Sequence, residues 1–218
     1  MKSTRREWIR AAGVAGTGVA LARPARPERT GDSAAALLEV FPQRQSVRRY
    51  KSDPVPEEHV RMILDAARRA PTCMNQQPWK FLVIRDPAKI GRMKQRVIEL
   101  TVKTNDPAAR QKAIAAIEGY FSAPVYVVVL TDNQCFCGPE YAKHDGPLAA
   151  GYLMLAARAL GYGTVYLTDS IPDSVTLEVL NIPARYHRVC VTPIGVPDGW
   201  PPPKPKKKLE ELVAYETL

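Results

Sequence analysis

Two clusters in this chain have residue types and spacings suited to binding chemistry. In "RQSVRRY", Arg44, Ser46 and Arg48 stand at alternate positions. In an extended segment residues two apart face one side, so two guanidinium groups and a hydroxyl can converge on one anion through charge-assisted hydrogen bonds. In "APTCMNQQPWKF", Ala70 to Phe81, an Ala-Pro pair ends a helical pattern and a polar run precedes Trp79. A helix end followed by a packed tryptophan accounts for Trp79 but leaves Asn75 and Gln77 without a role. A primary amide carries both donor and acceptor, and can match a ligand edge on which the two alternate.

Other chemistry is thin. The three histidines, His59, His144 and His187, sit in no serine or cysteine hydrolase motif. No GxGxxG follows a strand and no GxxxxGK[ST] occurs, which removes the usual dinucleotide and P-loop routes. Cys73, Cys135, Cys137 and Cys190 form no dense disulfide framework. Cys135 and Cys137 are too close in sequence to pair readily, and with His144 they offer only three metal ligands at a spacing foreign to zinc motifs. A bound cofactor is the economical source of reactivity.

The elements that must position these residues read as an α+β set. Apolar content over Ala34–Val40 predicts a first helix, and Pro56-Glu57-Glu58 opens a second whose Val60, Ile63, Leu64 and Ala67 share a face. "KFLVIRD" predicts a strand, and residues 88–118 are helical in period with a break at Asn105-Asp106-Pro107. "APVYVVVLTD" is a β-branched run suited to a central strand buried on both faces. "DGPLAAGYLMLAARALGYG" predicts a long helix with a glycine stop, apolar nearly all round and so buried in the core or against a second subunit. "GTVYLTD", a short helix over Ser174–Leu180 and the strand "HRVCVTPIGV" complete the set.

The 218 residues, 45% hydrophobic and 24% charged, are those of a globular domain. Residues 1–22 differ: the basic "MKSTRREWIR" leads into an uncharged run, Ala11–Ala22, too short to span a bilayer. Ala20-Leu21-Ala22 offers a cleavage site, and Arg5-Arg6 resembles a twin-arginine signal, so export, to a periplasm, is expected, without stable membrane insertion. Residues 23–33 read as a linker. Removing residues 1–22 takes away Lys2, Arg5, Arg6, Arg10 and Glu7 and lowers the formal charge from +9 to +6. No basic run is interleaved with aromatics as single-strand binders require, so nucleic acid is not an expected partner.

Together "RQSVRRY", "APTCMNQQPWKF", "DGPLAAGYLMLAARALGYGT" and the terminal "KPKKKLEELV" resemble the flavin-binding signature of the nitroreductase family, over nearly all of residues 34–218. The resemblance implies a central, mainly antiparallel sheet flanked by helices, in a domain-entwined homodimer with two FMN at the subunit interface. It puts Arg44 at the FMN phosphate and Arg48 nearer the ring, with Gln45 and Ser46 in the same binding set. Lys206 matches a late basic residue that reaches the phosphate in the family, or is one of several solvated tail lysines. Asn75 takes the position that reaches the partner subunit's flavin, and Pro71, Thr72, Cys73 and Met74 line the approach to the ring. Leu167 and Thr168, with Asp169, approach its other side; family members commonly carry glycine near there, and often serine at the position of Cys73.

The implied activity is an FMN-dependent oxidoreductase that passes electrons from NAD(P)H or another reductant to a nitroaromatic or quinone in a ping-pong cycle, with no side chain named as catalytic. If the chain is exported, a quinol or redox protein is an alternative donor. A flavin carrier or sensor, a dehalogenase or flavin-fragmenting relative, and a basic surface-binding protein without flavin are the other readings.

Overall fold

The computed structural model describes residues 31–217. The expected signal, residues 1–22, and most of the expected linker lie outside the described residues. Residues 35–218 form one compact unit.

Helix α1 (Gly31–Gln43) takes in the last three residues of the expected linker. Helix α2 (Glu57–Ala67) starts after Pro56 with Glu57 and Glu58 in its first turn, where acidic side chains suit the helix dipole, and buries Val60, Ile63 and Ala67. Strand β1 is Trp79–Ile84. Helices α3 (Pro87–Thr101) and α4 (Pro107–Tyr120) use one device twice: Asp86 accepts from Ala88 N, and Asp106 from Ala108 N and Ala109 N, each with proline at the first helical position. Strand β2 (Val125–Asp132) precedes the longest helix among the described residues, α5 (Pro139–Ala159). Strand β3 (Gly163–Thr164), helix α6 (Asp173–Leu180) and strand β4 (Tyr186–Gly195) follow.

The sheet is antiparallel in the order β1-β2-β4-β3, so the valine-rich β2 is an inner strand. Its alternation divides the core. Val125, Val127 and Val129 join Val60, Ile63, Leu153 and Ala157 of α2 and α5 on one face. Tyr126, Val128 and Leu130 join Met93, Val97, Ile117 and Val175 of α3, α4 and α6 on the other. The chain is therefore three-layered, helices on both faces of one sheet. No helix among the described residues is long and apolar enough to cross a membrane.

One sequence expectation needs correction. Helix α5 starts six residues earlier than Asp145, because Pro139 opens it, and Pro147, its ninth residue, does not end it. Within "GTVYLTD" only Gly163–Thr164 is strand, after which Leu167 regains contact with the sheet as an isolated bridge to Val191. In the single chain α5 buries Ala149, Ala150, Leu153 and Ala157 and leaves Tyr141, Leu148 and Tyr152 exposed.

Candidate cofactor site

The segment carrying Arg44, Ser46 and Arg48 is extended and docks beside the short edge strand β3. Ser46 bridges Thr164 in parallel, and Val47 N donates to Thr164 O at 3.0 Å. Further along, Lys51 N donates to Val196 O at 2.9 Å, and Tyr50 Oη donates to Val47 O at 2.6 Å. Val47, 2% exposed, anchors the segment in the core. Gly163 permits that approach: a Cβ there would lie 2.7–2.9 Å from three atoms of the Val47 side chain.

So held, Arg44, Gln45, Ser46 and Arg48 line one small pocket with Pro201, Pro202, Lys204 and Lys206 of the C-terminal segment, a cavity of about 110 Å³. Four cations share it with a hydroxyl and no carboxylate. Among the described residues none of the four is in an ion pair, and Arg48 Nη1 donates only to Ser46 O, at 3.1 Å. Like charges so close repel, and a bound anion turns the repulsion into attraction. The donor set fits a phosphate, the anionic end of FMN.

Arg158 of α5 ties the two halves of this pocket together. Its Nε donates to Gln43 O at 3.2 Å and its Nη2 to Gln43 Oε1 at 2.8 Å, immediately before Arg44. Its guanidinium carbon lies 4.1 Å from the ring centre of Trp200, immediately before Pro201.

The second cluster forms a separate site. Cys73–Asn75 make a short 3-10 turn in which Met74 (φ 47°) and Asn75 (φ 55°) are left-handed, and Gln77 (φ 48°) follows suit. Left-handed backbone costs a non-glycine residue on the order of 1 kcal/mol, and such strain persists only where surroundings enforce it. Asp145 of α5, 5% exposed, is the enforcer. Its carboxylate accepts from Thr72 Oγ1 at 2.7 Å, from Cys73 N at 3.3 Å and from Gln76 Nε2 at 2.9 Å. Gln76 Oε1 in turn accepts from Cys137 N at 2.8 Å. The turn presents Pro71, Met74 and Asn75 outward, Met74 at 71% exposure, with Thr72 and Cys73 half-buried behind them. None of Pro71, Thr72, Cys73, Met74 and Asn75 lines the cationic pocket.

Leu167 and Thr168 occupy a third position. Leu167 is buried, and its N–H and carbonyl are both paired with Val191. Thr168 is half-buried and its carbonyl accepts from Arg188 Nη2 at 3.2 Å, while Asp169 is exposed. Arg188, itself buried, pairs with Asp173 and leaves Nη1 without a partner among the described residues.

Sequence reasoning missed Asp145, Arg158 and Arg188, and ranked Lys204 only as a neighbour of Lys206. Asp145 stands immediately before Gly-Pro in a helix, a context that marks no contact with residues seventy positions earlier. Three cysteines, Cys73, Cys135 and Cys137, are partly exposed and free, and Cys190 is buried. Among the described residues no group of three or more metal-ligating side chains is assembled.

The chain matches known proteins over this same region. The profile described as "Nitroreductase family" matches residues 42–196. An iodotyrosine deiodinase of Thermotoga neapolitana is 32% identical over 193 residues, 84% of this chain and 98% of that protein. A 5,6-dimethylbenzimidazole synthase of Rhodospirillum rubrum is 32% identical over 174 residues, 72% of this chain and 80% of that protein. Among solved structures, oxidized iodotyrosine deiodinase bound to FMN and 3-iodo-L-tyrosine superposes with a TM-score of 0.69 at 27% identity, covering 84% of this chain and 100% of that one.

Proposed function

The chain belongs to the nitroreductase family and is an FMN-dependent oxidoreductase; from that premise we propose that it passes electrons from NAD(P)H or another reductant to a small electron-poor acceptor, a nitroaromatic or a quinone. The observation that carries the reading is the cavity in which Arg44, Arg48, Lys204, Lys206 and Ser46 converge without an acid. Bound FMN supplies the hydride or electron transfer, donor and acceptor using the ring in turn. The chain's own residues bind and shape. Arg44, Ser46 and Lys206, with Gln45 and Lys204 beside them, hold the phosphate, and Arg48 lies toward the ring. Asn75 offers an amide to a ring edge of alternating donors and acceptors, and Pro71, Thr72, Cys73 and Met74 wall the approach. Thr168 serves the other side, with Leu167 pinning it to the sheet.

A homodimer completes the site in this reading. The strained turn and the cationic pocket are separate within one chain, which suits a turn that serves its partner's cofactor. An apolar groove of about 540 Å³, lined by Leu37, Val40 and Phe41 of α1 and Tyr152 and Leu155 of α5, supplies an unpartnered face. Export through residues 1–22 belongs to the same proposal and would favour a quinol or redox protein as donor; recovery of the native protein solely from cytosol would remove that part.

A second reading, reductive dehalogenation of an aromatic, is favoured by the similarity across 98% of the Thermotoga deiodinase. One experiment separates the two. FMN-loaded protein is reduced with NADPH under anaerobic conditions and offered a nitroaromatic, a quinone and 3-iodotyrosine in turn. Reoxidation by the first two supports the proposal, and reoxidation only by iodotyrosine, with iodide release, supports the second reading. A flavin that no donor and acceptor pair turns over is a carrier or sensor and contradicts both.

A further inference from the structure

Cys73 of the strained turn, placed above in the wall of the flavin approach, adjoins a second thiol, Cys137, to which the proposed function gives no role. Cys137 Sγ donates to Cys73 O at 3.5 Å, which brings two residues 64 positions apart side by side. Their backbones are clamped by one network: Cys73 N donates to the Asp145 carboxylate, Cys137 N to Gln76 Oε1, and Gln76 Nε2 to the same carboxylate. Two elements far apart in sequence, the turn after α2 and the connection from β2 to α5, therefore hold Cys73 and Cys137 next to each other. The remaining cysteines are turned elsewhere. Cys135 Sγ donates to Gly138 O at 3.3 Å within its own turn. Cys190 is fully buried, beside Thr192, and burial pushes its thiol up to about 12.

We propose that Cys73 and Cys137 are a redox-active pair that closes to a disulfide and locks the 72–77 turn to the β2–α5 connection. The reaction is exchange with a low-molecular-weight disulfide such as oxidised glutathione. One cysteine sulfur attacks it, forming a mixed disulfide and expelling one glutathione thiol; the second attacks the mixed disulfide, forming the Cys73–Cys137 bond and expelling the other. Two cysteine thiols are oxidised, one external disulfide is reduced, and both cysteine protons leave with the two glutathione thiols. The contact with Cys73, then burial, pushes the Cys137 thiol up to about 11.

The test needs no flavin turnover, so its failure is separate from any failure of the proposed function. The purified full chain is incubated with oxidised glutathione, free thiols are alkylated, and unreduced peptides are mapped by mass. The expected result is loss of two of the four free thiols, with one cross-linked peptide pair joining Cys73 to Cys137. The link should vanish with dithiothreitol, be absent in Cys137→Ser and persist in Cys135→Ser. Hydrogen exchange of the Asn75 and Gln76 amides should slow in the linked form. Recovery of Cys73 and Cys137 as separate alkylated or glutathionylated residues in the wild-type chain would overturn the pairing, as would a link that uses Cys135. A correct link with unchanged exchange would overturn the locking.

Discussion

Arg44 and Asp145 show two different ways a single residue serves this site. Arg44 offers charge directly, and a charge-assisted hydrogen bond contributes roughly 1.5–3 kcal/mol, so Arg44→Ala should weaken FMN binding about tenfold to a hundredfold in a fluorescence-quenching titration, with little change in unfolding midpoint. Asp145 touches no pocket residue; it holds the strained turn. Asp145→Ala strands the Thr72 hydroxyl, the Cys73 amide and the Gln76 side chain, and should lower stability by about 2–3 kcal/mol in urea unfolding. Asp145→Asn, which keeps one acceptor oxygen, should lose less. That Arg44, Ser46 and Arg48 line one pocket was legible in the sequence, because alternation in "RQSVRRY" carries its own geometry. The role of Asp145 was not, because nothing in its spacing from Thr72 reveals that helix α5 passes beneath the turn.

At the scale of elements, the pocket depends on how the 44–51 segment seats on β3 and on how the C-terminal segment folds back against it. Gly163→Ala should force Val47 outward, cost about 1–3 kcal/mol through overpacking and also weaken FMN binding, since Ser46 moves with its neighbour. Arg158→Ala should weaken FMN binding with a smaller effect on stability, because it frees Trp200 and Gln43 while leaving the core intact. Arg158→Lys should rescue it poorly, since an ammonium has neither the planar stack nor the fork. Both effects are read by titration alongside thermal melts. The helices were legible from their period, and the inner strand β2 from its β-branched run. The docking of 44–51 was only half legible: extension could be read, but its partner could not. The course of "GTVYLTD" was not legible: the chain leaves the strand after Thr164, buries Val165 and Leu167 and leaves Thr168 half-buried.

For the whole molecule, the exposed apolar residues of α1 and α5 fit a subunit interface, as the sequence's apolar α5 already suggested. Leu37, Phe41 and Tyr152 are 54%, 54% and 42% exposed in the single chain. The double variant Phe41→Asp, Tyr152→Asp should sediment as a monomer in analytical ultracentrifugation while the unaltered chain sediments as a dimer. Its FMN binding should fall too, because the turn bearing Asn75 would no longer meet its partner's pocket. The most direct test of the account as a whole compares FMN with riboflavin, which lacks the phosphate, in titrations against the unaltered chain and Arg44→Ala. The cationic pocket predicts that FMN binds on the order of a hundredfold more tightly than riboflavin, from about 3 kcal/mol of phosphate contact, and that the gap narrows in the variant. Equal binding of the two flavins, or binding of neither, would contradict it.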